Sequence, residues 1–224
     1  DDPQYEEQWN LPLINMPQAW GIEKGNPDVV IAIVDTGFDY THEDLASKTW
    51  VNVDEIPDNG IDDDNNGYID DVRGWDFTDA LDAANAGDFL EGDNDPIDES
   101  GHGTHVAGIA GAAVDNGIGV AGIAWNCTLM SVRAGTSLGG GTGLQDNDSA
   151  SAIVYAVDNG ARVINMSWGS RKDSFVIRDA INYAYIRGVV LVAAAGNEAD
   201  SEAIFPAGYR NVIAVAATQQ HKQQ

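Results

Sequence analysis

The sequence predicts an α/β fold, a parallel sheet with helices on both faces. Residues 29–34, Val-Val-Ile-Ala-Ile-Val, are apolar at every position, as expected of a strand buried on both sides. Short β-rich runs of this kind alternate with longer stretches of helical pattern, a rhythm that brings successive strands back parallel. The chain has 224 residues, 43 % of them hydrophobic and 21 % charged, which suits one sizeable globular core.

The elements follow in order. Residues 100–113 read as a helix of small side chains opened by a glycine-flanked turn. Thr128–Arg133 reads as a second strand, and 149–159 as a helix stopped by Asn159-Gly160. A strand at 162–166 precedes a helix at 173–187 that ends at Gly188; strands at 189–194 and 212–217 complete the series. With no repeats and no low-complexity linker, residues 1–224 are expected to form one domain. In open sheets of this type, sites lie at the carboxyl ends of the strands. Asp35 and Asn197 both fall just after such an end.

Composition narrows the partners. Lys and Arg number 11 against 36 Asp and Glu, a formal charge of -25. That field repels phosphate backbones and anionic membranes, so neither nucleic acid nor membrane is an expected partner. It attracts cations, and many of the acids fall between Asp54 and Glu99. No apolar run approaches membrane-span length, and no basic-then-apolar signal opens the chain. The Asp1-Asp2-Pro3 start reads as a mature terminus after processing. Cys127 is the only cysteine and sits in an apolar run, so it reads as a small buried hydrophobe and no intrachain disulfide is possible.

Three segments carry chemistry: Val34-Asp35-Thr36-Gly37, the run Gly-His-Gly-Thr-His-Val-Ala-Gly at 101–108, and Ala194-Ala195-Gly196-Asn197-Glu198. A hydroxyl nucleophile needs a base within hydrogen-bond reach, and the base needs an orienting acid. Asp35, at a buried strand end before Gly37, suits the acid. His102, between two glycines, suits the base, and the Asn197 amide suits a donor to a developing oxyanion. Each motif alone is open to another reading. Asp-Thr-Gly also occurs where two carboxylates share a proton, but no second copy is present here. His102 and His105 lack the glutamate of a helical zinc pair. His42, His105 and His221 read as structural or surface residues.

Taken together and in this order, the motifs resemble the subtilisin-like serine protease family, and the resemblance runs from Asp2 to Ala217. It implies a three-layer subtilisin-like fold and peptide-bond hydrolysis by an Asp-His-Ser triad. The segment Val163-Ile164-Asn165-Met166-Ser167-Trp168-Gly169 is similar to the family's Val-Ile-Asn-Met-Ser-Leu-Gly. By that resemblance Ser167, Trp168 and Gly169 form one substrate-binding edge and Gly141, Thr142 and Gly143 the opposite one, with Ala194 and Gly196 also lining the site. Such edges favour extended polypeptides. Trp168 replaces a small aliphatic residue and bears on the main pocket, in a direction the sequence leaves open.

The family's nucleophile lies in Gly-Thr-Ser-Met-Ala, after the oxyanion Asn, and no such segment occurs in residues 1–224. Ala134-Gly135-Thr136-Ser137-Leu138 contains Gly-Thr-Ser, but it precedes Asn197 and runs into glycines, so Ser137 is rejected. The expectation is a domain missing its C-terminal part, inactive alone and marginally stable, its absent helix leaving apolar surface exposed. The alternative is a non-catalytic calcium- or peptide-binding module. A nucleotide-binding domain, suggested by residues 139–143, lacks the strand–GxGxxG–helix context.

Asp62, Asp64, Asn66 and Gly67, followed by the Tyr68 carbonyl, match the first part of an EF-hand-like calcium loop. Arg73 stands where the closing glutamate belongs, so Asp70 or Asp71 is expected to complete the shell. Hard oxygen donors favour calcium over zinc or copper. The loop is expected to be a surface insertion at about 54–76. The family resemblance implies a second calcium site from Asp2, Asp44, Val114, Asn116, Ile118 and Val120, and a third site, for a monovalent ion or calcium, from the carbonyls of Ala207, Tyr209 and Val212. It also implies secretion. The expected partners are polypeptide substrates and a propeptide, and the expected state is a monomer.

Overall fold

Strand β1 (Val30–Asp35) shows how the sheet is covered on both sides. Its side chains alternate between faces, as the two-residue period of a strand requires. Ala32 and Val34 pack into one core with Ile153, Ala156, Ile181 and Ala184. Ile33 packs into another with Phe38, Leu45 and Ala107. The continuous apolar run is thus two interleaved faces, each buried against helix.

The computed structural model describes residues 1–79, 92–138, 141–197 and 201–218; Glu198, His221 and residues 139–140 of the glycine run lie outside them. In chain order the helices are α1 (Asn10–Leu13), α2 (Met16–Trp20), α3 (His102–Gly111), α4 (Asp146–Asp158) and α5 (Phe175–Ile186). The further strands are β2 (Gly74–Asp76), β3 (Thr128–Arg133), β4 (Gly135–Leu138), β5 (Gly141–Leu144), β6 (Val163–Met166), β7 (Val190–Ala194) and β8 (Val212–Val215). Six of the strands form one sheet in the order β2-β3-β1-β6-β7-β8, all neighbours parallel. Helices α4 and α5 cover one face through Ala152, Ile153, Ile177 and Ala180; α3 covers the other through Ala107. This is the expected α/β architecture with helices on both faces.

Register sets the site. Asp35 at the end of β1 lies beside Arg133 at the end of β3, and Met166 of β6 lies beside Ala193 of β7. The strands therefore finish along one edge of the sheet. Ala194 pairs with Val215, so residues 195–197 leave the sheet at the same edge.

Several elements differ from the sequence reading. Helix α4 starts at Asp146 rather than 149, and Asp146 and Asp148 in its first turn suit the positive end of a helix. The segment around Ser137 is a hairpin strand, β4, antiparallel to β5. The insertion does not stay wholly at the surface: its last residues, β2, extend the sheet beside β3. Helices α1 and α2 pack Leu11 and Trp20 against Ala121, tying the N-terminal segment to the loop after α3. On β8, Ile213 and Val215 are half exposed. None of the described helices is long and apolar enough to cross a membrane.

Candidate active site and cation sites

Asp35 is fully buried and His102, the first residue of α3, is partly exposed. The His102 Nδ1 atom lies 2.6 Å from Asp35 Oδ1, which also accepts the Thr36 backbone N–H at 2.8 Å. A carboxylate can only accept, so Nδ1 carries the proton and Nε2 keeps the lone pair. The hydrogen bond to Asp35 raises the His102 pKa above its ordinary 6.5; burial opposes this, and the charges of Asp35 and Asp98 add to it. The imidazole is therefore a stronger base than one in water.

The turn between these residues is made by glycines under close approach. Gly37 has φ +80°, and a Cβ there would lie 2.3 Å from the Pro96 carbonyl. Asn197 follows Gly196, whose φ is +100°, and is exposed at the sheet's carboxyl edge. The structure thus brings Asp35 and His102 into contact and sets Asn197 on the same edge, after β7.

The expected substrate edges are also at this end. Strand β5, with Gly141, Thr142 and Gly143, pairs only with β4 among the described residues, so its other side is an unpaired edge. Ser167, Trp168 and Gly169 follow β6, and Ser170 forms a backbone bridge to Phe205. Ser167 Oγ accepts a hydrogen bond from Asn165, and Gly169 is exposed. The Trp168 side chain turns into the core. It is 8 % exposed, lies in the main core and donates its indole N–H to the Val34 carbonyl at 2.8 Å. It braces the end of β1 from below.

The loop at 54–71 is organised by its own carboxylates. Asp62 accepts the N–H groups of Asn66 and Gly67, and Asp64 accepts from Asn66. Glu55, Asp62 and Asp64 converge, with one oxygen of each within 4.8 Å of the others. Glu55 is the residue the sequence reading missed. It lies upstream of the motif, is buried, and its oxygens accept N–H groups of Asp63, Asp64 and Asp70. The two residues expected to complete the shell accept hydrogen bonds from within and beside the loop and from α4. Asp70 turns back to accept from Asn59 and Gly60. Asp71 is fully buried and accepts from Tyr155, Asn52 and Asn66, with burial raising its pKa. Tyr68 packs edge-on to Tyr155, anchoring the loop on α4.

The second expected group also converges. Asp2 accepts the N–H groups of Asp115 and Asn116; Asp44 accepts from the Asn116 side chain and from Val120 N–H. Ile118 N–H donates to Asn116 Oδ1. Both carboxylates are buried, and these donors are all neutral. Both carboxylates accept from Asn116, one from its N–H and one from its side chain, so the group brings hard oxygen donors to one stretch of chain. That arrangement, with the chain 114–120 wrapped round it, fits a hard cation. At the third expected group, Ala207 and Tyr209 are buried and the Tyr209 carbonyl already accepts Val212 N–H. Cys127 is buried, as expected.

A parallel sheet sandwiched by helices, with a buried Asp contacting a His at the strand ends, defines a class of α/β proteins with an acid–base pair at the sheet's carboxyl edge. Comparison with known families makes this specific: the Subtilase family model matches residues 26–224, and the chain belongs to that family. It is 41 % identical over 203 residues to a thermophilic serine proteinase of Bacillus sp. (strain AK1), covering 91 % of this chain and 41 % of that protein. It is 37 % identical over 222 residues to thermitase of Thermoactinomyces vulgaris, covering 99 % of this chain and 66 % of that protein. Halolysin of Haloferax mediterranei is 37 % identical over 217 residues, covering 97 % of this chain and 36 % of that protein. The chain thus spans less than two thirds of the length of these relatives.

Proposed function

We propose that this chain is the Asp- and His-bearing part of a secreted serine endopeptidase acting on extended polypeptides. The observation that carries the reading is the 2.6 Å contact between buried Asp35 and partly exposed His102 at the sheet's carboxyl edge. Asp35 holds the imidazole in the tautomer that leaves Nε2 basic. Nε2 takes the proton of a serine hydroxyl as that oxygen attacks the scissile carbonyl, then returns it to the leaving amine. The Asn197 amide donates to the oxyanion, a bond that strengthens as charge develops. The substrate backbone pairs with the free edge of β5 on one side and residues 167–169 on the other, with Ala194 and Gly196 flanking it. Names of the relatives, serine proteinase and extracellular serine protease among them, support both the reaction and the location.

Calcium fits the two acidic groups. Asp2, Asp44 and Asn116, with carbonyls of Val114, Ile118 and Val120, would hold one ion; Glu55, Asp62, Asp64, Asn66 and the Tyr68 carbonyl would hold another. The ions would supply structural stability and take no part in the proton transfers. Residues 1–224 form a single domain unit on this reading.

The serine itself is not assigned to any residue of 1–224. A fluorophosphonate probe applied to the protein at its full natural length tests the proposal. Labelling of a serine beyond residue 224, abolished by His102→Ala, is the expected result. Residues 1–224 alone should take no label. A full-length protein that takes no label and cleaves no unfolded polypeptide overturns the reading in favour of a calcium- or peptide-binding module.

A further inference from the structure

We propose that Asp98 is a positioning residue, the joint that holds the end of β1 and the first turn of α3 in register so that Asp35 and His102 meet. The inference rests on the catalytic reading of that pair. Asp98 does not touch the imidazole; it acts through the two backbone segments that carry the pair.

Its carboxylate gathers donors from both. Oδ1 accepts from the Thr36 hydroxyl at 2.9 Å, Ser100 N–H at 2.8 Å and Gly101 N–H at 2.9 Å. Oδ2 accepts from Thr104 N–H at 2.8 Å and the Thr104 hydroxyl at 2.6 Å. Thr36 has one hydroxyl proton. Because that proton goes to Asp98, the oxygen is left to accept Gly103 N–H, at 2.9 Å. The Thr104 hydroxyl behaves in the same way: it donates to Asp98 and accepts Asp39 N–H at 2.9 Å. The chain after β1 is therefore attached to α3 at two points, Thr36 and Asp39, both ordered by one carboxylate. Two attachments fix rotation as well as distance, and Asp35 and His102 lie beside them.

The helix needs this help. Its N-cap is Gly101, which offers no side-chain cap, so the free N–H groups of the first turn require acceptors from elsewhere. Asp98 and Thr36 provide them, and a negative charge at a helix N-terminus is favourable. Asp98 is itself anchored independently of His102. Next to it, the Ile97 carbonyl accepts from the buried Arg133 guanidinium, which pairs with Asp76 at 3.2 Å and Glu99 at 3.4 Å. The Pro96 carbonyl accepts from Ser131 Oγ at 2.9 Å. Across the sheet, the strand partner of Arg133 is Asp35.

Two variants of the full-length protein separate positioning from simple capping. Asp98→Asn keeps the shape but removes the charge and turns one acceptor into a donor. Asp98→Glu keeps the charge but moves it by one methylene. In Asp98→Asn, kcat should fall about 10- to 100-fold, the loss typical of a misplaced catalytic group, with KM changed less than about twofold. The acid limb of kcat/KM should move to lower pH, and the downfield proton resonance of His102 Nδ1–H should lose intensity. Asp98→Glu should restore part of the pH limb and little of kcat. If both variants keep wild-type kcat, pH limb and proton resonance and merely melt earlier, Asp98 is a helix cap and the inference fails. If the wild-type protein hydrolyses nothing, the catalytic reading fails instead. The His102 titration then still tests the joint: an imidazole pKa identical in wild type and Asp98→Asn overturns it.

Discussion

Gly103, next to His102, shows how little room the pair has. A Cβ at this position would lie 1.9 Å from the Gly37 carbonyl oxygen and 3.2 Å from Asp35 Oδ1. The first obstacle is backbone in a tight turn, so it cannot swing aside as a side chain would. Gly103→Ala should push the start of α3 away from β1 and break the 2.6 Å contact, lowering kcat/KM by about 100-fold or more. Steady-state kinetics on the full-length protein check this; wild-type activity in the variant would contradict it. A pH effect belongs to the same atoms. On the proposed mechanism the neutral imidazole is the working base, and the Asp35 hydrogen bond raises its pKa above 6.5. Activity should therefore rise with pH through a midpoint above 6.5, and replacing Asp35 with Asn should move that midpoint down. Stability runs the other way. A raised histidine pKa contributes stability that is fully present below the unfolded value and is lost as pH rises through the folded one. A midpoint at or below 6.5 would remove the role given to Asp35. At this scale the sequence was legible where a role sits in a contiguous motif, as with Asp35 and His102. It was silent on Asp98, whose four donor residues come from two stretches of chain, the end of β1 and the start of α3, and on the inward turn of Trp168.

Elements long enough to show a period were legible. Strands β1, β3, β6 and β7 and helices α3, α4 and α5 fall within a few residues of their expected limits, because burial imprints alternation or a helical stripe on the sequence. Helices α1 and α2 were not read. Each is about one turn long, too short to carry a stripe, and is held by tertiary packing of Leu11 and Trp20. The hairpin β4–β5 was hidden by its glycines, which mark turns as readily as strands. In the acidic loop the motif was legible but the convergence of Glu55 on it was not, because Glu55 comes from outside the repeating pattern. This yields a prediction about the element. Calcium bound to the folded loop and not to the unfolded chain stabilises by mass action, about 2.7 kcal/mol per site at a hundredfold excess over Kd. The melting temperature should fall when calcium is replaced by EDTA. Glu55→Gln should shrink that difference, and Asp70→Asn should leave it nearly unchanged, since Asp70 faces Asn59 and Gly60. Taking the difference within each variant cancels the cost of disturbed backbone hydrogen bonds. A difference abolished by Asp70→Asn and untouched by Glu55→Gln would reverse the assignment.

For the whole molecule the dominant fact is charge, 36 acidic residues against 11 Lys and Arg. A net charge of -25 repels itself in the folded state more than in the expanded chain, so the native state carries an electrostatic penalty that screening relieves. Between 0.1 and 1 M salt the screening length shrinks from about 10 Å to about 3 Å. That spans the usual spacing of surface charges but not the closer spacing of the clustered carboxylates. Sodium chloride should therefore raise the melting temperature, and the rise should be larger in EDTA than in saturating calcium. On the proposed calcium reading, ions at the Asp2–Asp44 and Glu55–Asp62–Asp64 groups would already have cancelled the closest repulsions. The two contributions should overlap rather than add, since both act on one excess of negative charge. Sodium chloride is the right probe, because sulfate also strengthens apolar burial and would raise the melting temperature of a neutral protein as well. A melting temperature that is flat or falling with sodium chloride in EDTA would mean that the acidic surface is already matched locally, by exposed pairs such as Arg171 with Glu202. Overall charge would then not govern the stability of this fold.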